Sequence, residues 1–234
     1  RPDWPARTRD ISEIGVEVRF TPANTLGKLL SELTGSPAKV TVRIVDYPGE
    51  WLLDLPLLGQ SYGEWSRATM QMLRTGARAE IAREFVAFVV GQRPQEPASE
   101  EIAKQAHDLY CAFLLNARDG HGLSYQQPGR FLCRGTLADV PYLWFAPMDV
   151  GENANAPAPH SLAALMAERF EIYKREAVAR FYEDHFRHYS RQIVLVDVLG
   201  ALLAGREAFE DSRRAPTISR SGMRPGLCNA LKRL

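Results

Sequence analysis

The chain has 234 residues, 45% hydrophobic and 24% charged, with a formal net charge of +1. That size fits one domain, or one domain carrying a large insertion. Composition is that of a globular protein, and the near-zero charge gives no field directed at nucleic acid or an anionic membrane. Three cysteines (Cys111, Cys133, Cys228) show no C-x-x-C spacing, so neither a disulfide framework nor a zinc site is expected and a reducing, cytoplasmic setting is the simpler reading. No apolar run approaches the ~18 residues of a membrane span.

Along the chain, Ile14, Val16, Val18 and Phe20 alternate with polar residues and predict a half-buried strand. Leu26 to Leu33 predicts a short helix. Val40, Val42 and Ile44 predict a second strand, antiparallel to the first, that stops at Asp46. From Gln60 to about Ser190 the periodicity becomes helical. One helix is expected over Trp65–Val90, another from Ser99, a reasonable N-cap, to about Ala117. Asp119–Pro159 reads as irregular, and His160–Tyr189 as a long amphipathic helix. Gln192-Ile-Val-Leu-Val-Asp197 is an apolar run ending at an aspartate, as expected of a strand buried on both faces. Val198 to Arg213 predicts a loop and helix. Asp197 reads more readily as a cap than as a ligand. Arg213 to Leu234 holds six basic residues and no acidic one, a shift that a divergent tail or a frameshift near Arg214 would produce.

The segment richest in chemistry is Thr41-Val-Arg-Ile-Val-Asp-Tyr-Pro-Gly49. In open α/β sheets, ligands sit at the C-terminal ends of strands. An aspartate there can hold Mg2+, directly or through water, and a glycine three positions on can bring its N–H to a γ-phosphate. The same four residues also suit a type II turn.

The longer string Ile44-Val-Asp-Tyr-Pro-Gly-Glu-Trp-Leu-Leu-Asp-Leu-Pro-Leu-Leu58 resembles the signature of the YcjX-like family of P-loop NTPases, bacterial stress-associated predicted GTPases. Trp4–Glu13, Gln60–Trp65, Arg187–Gly200 and Ala204–Asp211 extend the resemblance over most of residues 1 to 214. It implies an α/β fold: a partial Ras-like P-loop NTPase sheet with a large helical insertion. The expected division is 1–59 for part of the nucleotide-binding core, 60–190 for the insertion, 191–214 for a return strand and helix, and 215–234 for a divergent basic tail. The resemblance also implies GTP/GDP and Mg2+ as ligands. Asp46 and Thr8 would hold the metal, and Asp46, Gly49 and Thr8 the nucleotide. Thr8 and Ser12 could equally solvate a loop.

Glu50 is the nearest candidate for positioning an attacking water, and Glu50 and Trp51 would begin a mobile switch. The sequence contains no G-x-x-x-x-G-K-[ST], which the family carries N-terminal to this region, so residues preceding Arg1 are expected and this piece alone should bind nucleotide poorly. The activity implied is GTP hydrolysis. The alternative is a nucleotide-dependent interaction module with negligible hydrolysis, presenting its helices to a membrane-associated or stress-related protein; nucleic acid is not expected as a partner.

Overall fold

The computed structural model describes residues 8–20, 38–137, 140–151 and 157–221. The chain divides into two compact units, Arg1–Pro48 and Gly49–Leu234. The expected short helix at residues 26–33 and the end of the basic tail lie outside the described residues.

In the first unit, β1 (Ser12–Phe20) and β2 (Ala38–Asp46) form an antiparallel pair. The register sets Ile14 opposite Ile44, Val16 opposite Val42 and Val18 opposite Val40. Residues opposite each other in a ladder share a face, so period-2 alternation sorts the hairpin into an apolar and a charged side. On the charged side Arg43 donates two bonds to Glu13, at 2.6 and 2.9 Å, and Lys39 lies 3.4 Å from Glu17. The apolar side is exposed, not half-buried as its pattern predicts: Ile14 is 64% accessible. Alternation marks a face built for burial, but burial requires a covering layer, and among the described residues nothing covers this one.

The second unit is helical. It opens with an eleven-residue 3-10 helix, Gly49–Gly59, and continues as α1 (Tyr62–Leu73), α2 (Gly76–Ile81), α3 (Arg83–Val90) and α4 (Glu100–Asp119). After short 3-10 turns come α5 (Leu162–Tyr173), a π-helical turn (Lys174–Ala179), α6 (Arg180–Asp184), α7 (Val198–Ala204) and α8 (Arg206–Ser221). Ser61 caps α1 in a reciprocal capping box with Glu64. Ser99 caps α4 as its position suggests, accepting from the Ile102 amide.

The helix expected over residues 65–90 is three helices. Gly76 adopts φ +58°, and the amide of Ala77 donates to Glu207 at 2.8 and 3.0 Å. A distant carboxylate thus takes the N-terminal position that Thr75 leaves without a side-chain cap.

The core is aromatic. Trp65 stacks on Phe170 at 5.1 Å between ring centres and meets Phe145 edge-on at 5.7 Å. Phe131 packs against Phe145 at 5.0 Å. Such pairs add about 0.5–1.5 kcal/mol each beyond the area they bury.

Residues 191–197 depart from expectation. They make no strand, and Ile193 and Leu195 are 87% and 90% accessible. An apolar run becomes a buried strand only where neighbouring strands complete its ladder, and no described strand pairs with it. Asp197, by contrast, is the N-cap of α7, accepting from Gly200 at 2.7 Å. Residues 49–59, expected with the nucleotide-binding core, group with the helices. The helix α8 runs across residue 214 without a break. Among the described residues no helix is long and apolar enough to cross a membrane.

Candidate functional site

The hairpin register explains how the first predicted pair meets. Ser12 is opposite Asp46, so the chain just upstream of β1 passes the C-terminal end of β2. There Thr8 Oγ1 donates a hydrogen bond to Asp46 Oδ2 at 2.8 Å. Two residues 38 apart in sequence, both read from the resemblance as metal-holding oxygens, are in contact.

These two oxygens suit Mg2+. The ion takes oxygen ligands at 2.0–2.1 Å in an octahedron, whose adjacent ligands stand about 2.9 Å apart. Among the described residues no group of three or more His, Cys, Asp or Glu could hold a metal by itself. One carboxylate and one hydroxyl is the donor set Mg2+ uses when substrate phosphates and water complete its shell.

Gly49 and Glu50 begin the 3-10 helix. Gly49 is exposed, and a side chain there would meet nothing within 4 Å. Its backbone is therefore open to approach. The Glu50 carboxylate pairs with Arg118 of α4 at 3.5 Å. Trp51 is buried, and its indole N–H donates to the Cys133 carbonyl at 2.8 Å. The segment read from the resemblance as the start of a switch is thus packed into the helical core, with Leu55 and Leu57 fully inaccessible.

Asp54 organises this packing. Its carboxylate accepts from the Gly129 amide at 2.7 Å, the Arg130 amide at 3.3 Å and the Tyr173 hydroxyl. The Arg130 guanidinium lies 3.6 Å from the centre of the Trp51 ring, a cation–π contact worth up to about 2 kcal/mol when desolvated. Gln127 donates to the Leu53 carbonyl and Tyr110 to the Gln127 carbonyl. Sequence reasoning passed over Asp54. The available signal was a carboxylate inside Leu52-Leu53-Asp54-Leu55, since a charge amid buried leucines persists only with dedicated partners.

Burial pushes the Asp54 carboxyl up to about 6, against the downward pull of its hydrogen bonds and Arg130. Desolvation, helped by Arg134, pushes His107 down to about 4. His107 Nε2 lies 3.4 Å from both Cys111 Sγ and Arg134 Nη2. Burial raises the Cys111 thiol to about 11, so it is no activated nucleophile.

The two shifts act oppositely on stability. Between pH ~4 and ~6 the folded chain keeps a proton on Asp54 that the unfolded chain releases, so this group's stabilisation falls by about 3 kcal/mol as pH rises. Between ~4 and ~6.5 the unfolded chain binds a proton on His107 that the folded chain refuses, so stability rises by a similar amount, about 3 kcal/mol. Asp54→Asn is therefore expected to lose about 3 kcal/mol relative to the parent between pH 7 and pH 4, and His107→Gln to gain about as much. Urea unfolding at four pH values checks this; parallel curves for parent and variants would contradict it.

Comparison with known proteins follows the same lines. The model of the YcjX-like family, DUF463, matches residues 1–234, basic tail included. The chain is 39% identical over 221 residues to the "Ras-like GTPase YcjX" of Escherichia coli (strain K12), covering 92% of this chain and 46% of that protein. It is 33% identical over 238 residues to the "Ras-like GTPase YcjX" of Shewanella oneidensis, covering 100% of this chain and 48% of that one. The chain spans about half the length of the curated relatives it matches. A family match over every residue, with relatives at 33% and 39% identity, makes this chain a member of the YcjX-like family.

Proposed function

We propose that the intact protein binds GTP with Mg2+ and hydrolyses it, with Thr8 and Asp46 at the metal and Gly49 at the γ-phosphate. The observation that carries this reading is the Thr8–Asp46 contact at the C-terminal end of β2, followed in sequence by Tyr47-Pro48-Gly49. The relatives' description as Ras-like GTPases supports guanine nucleotide as the ligand.

Bound to the nucleotide, Mg2+ would neutralise charge on the β- and γ-phosphate oxygens. The chain's own contribution is positional. Asp46 presents a carboxylate oxygen and Thr8 a hydroxyl already aligned with it, and the Gly49 amide can be approached without a side chain in the way. Glu50 would orient the attacking water. A cytoplasmic, stress-related setting and a protein partner for the helical unit belong to this reading on the strength of the family resemblance.

Asp46→Ala is expected to weaken Mg2+-dependent GTP affinity of the intact protein by roughly tenfold or more. Calorimetric titration with GTP, with and without chelator, measures it. Unchanged affinity would remove Asp46 from the site.

One observation favours a second reading, a nucleotide-dependent interaction module. The Glu50 carboxylate already has Arg118 as its partner, and a paired carboxylate is held away from a water-positioning role unless the pair opens. Multiple-turnover phosphate release separates the two readings. Tight binding with release no faster than in buffer would select the module.

A further inference from the structure

The 3-10 helix Gly49–Gly59 is unusual for its length, since such runs rarely exceed three or four residues, their hydrogen bonds being poorly aligned. It contains Pro56, which supplies no backbone donor. The hold on it must come from outside the helix. Of the contacts that supply it, two lead to a second irregular helix. Asp54 reaches the Gly129–Arg130 turn and Tyr173, the last residue of α5. Lys174, the first residue of the π-helical turn, donates to the Gln60 carbonyl at 2.9 Å. Stretches of 3-10 helix often mark hinges or strain, and π-helical turns are frequent at functional sites.

We propose that Asp54 is the positioning residue that couples Gly49 to the interior of the helical unit, by holding the 3-10 helix against Gly129–Arg130 and Tyr173. The proposal rests on the reading of Asp46 and Gly49 given above. Its logic is mechanical. Gly49 is both the residue assigned to the γ-phosphate and the first residue of the 3-10 helix, and five residues later that helix is fastened to the interior of the helical unit. A γ-phosphate contact that draws on the Gly49 amide pulls on a segment that cannot flex locally, because Trp51, Leu53 and Leu55 are buried around it. The displacement is passed to the turn at residues 129–130 and to the junction of α5 with the π-helical turn. The helical unit then differs between the triphosphate and diphosphate states, as a two-state element biased by one ligand contact.

The test uses the intact protein, with Asp54→Asn and Tyr173→Phe as variants. Hydrogen exchange of peptides covering residues 127–133 is measured with a non-hydrolysable GTP analogue and with GDP, both with Mg2+. Exchange in α4 reports on whether the fold is kept. The parent is expected to show different protection of residues 127–133 in the two states. In the variants that difference should shrink severalfold while α4 stays protected. The ratio of affinities for the two nucleotides should move toward unity at the same time. A residue that merely supported the core would lower protection in both states equally and leave the ratio alone, and that result would overturn the proposal.

Tyr173→Phe removes a single hydroxyl and decides the matter if Asp54→Asn fails to fold. A parent that binds both nucleotides yet exchanges identically in both refutes the coupling while leaving the nucleotide site standing. A parent that binds neither removes both.

Discussion

Replacing Gly129 with alanine is expected to destabilise the helical unit by about 4 kcal/mol or more, enough to unfold a marginal domain. A methyl group there would lie 1.9 Å from the Glu50 carbonyl oxygen and 2.5 Å from its carbonyl carbon. These are main-chain atoms at the head of the 3-10 helix, so no rotamer change relieves the clash. One backbone must move, and the movement parts Asp54 from the Gly129 and Arg130 amides. Each hydrogen bond to a charged group is worth about 1.5–3 kcal/mol, and Asp54 would be left buried with fewer partners. Gly59→Ala is the internal control: a side chain there meets nothing within 4 Å, and the expected change is about 0.5 kcal/mol or less. Urea unfolding of the two variants beside the parent gives the answer. Equal, small losses in both would mean that the 3-10 helix does not pack against Gly129 as described.

Asp211→Ala is expected to cost about 3–5 kcal/mol, the usual result of stripping one partner from a buried ion pair. Asp211, on α8, accepts from Arg78 of α2 and from the Tyr125 amide at 3.1 Å, and both charged side chains are almost wholly buried. Arg78 also donates to the Tyr125 carbonyl, while its Nε has no partner among the described residues. Without Asp211 the guanidinium would keep only that carbonyl. Asp211→Asn retains an oxygen acceptor and should lose roughly half as much. The same pair of helices is joined by Glu207 at the start of α2, so the loss in Asp211→Ala should appear as a local opening of α8 before global unfolding. Exchange of the α8 amides would show it, and a variant in which α8 stays as protected as in the parent contradicts this account.

Both sites were only partly legible in the sequence, for reasons that differ. The two strands and the break at Asp46 follow from period-2 alternation, a local property. Thr8 as the partner of Asp46 was reached through family resemblance, and the hairpin register then supplies the physical cause. Asp54 and Gly129 escaped notice because their importance is a relation between positions 75 apart, and nothing in either neighbourhood states it. The surroundings of His107 are hidden in the sequence for the same reason: Cys111 lies one helical turn away, but Arg134 and the ring of Phe131 arrive from another part of the chain.

By itself the sequence determined the helical character of residues 60–190, the N-caps at Ser99 and Asp197, and the antiparallel hairpin that ends at Asp46. Each is encoded within a few turns or a few residues, where backbone geometry and side-chain period suffice. Only the tertiary structure decided that the helix expected over residues 65–90 breaks at Gly76 to receive Glu207, that residues 49–59 are clamped into the helical unit, and that the apolar run 192–197 forms no strand. A capping carboxylate, a buried clamp and a ladder partner all come from elsewhere in the chain, and no local pattern can announce which of them will arrive.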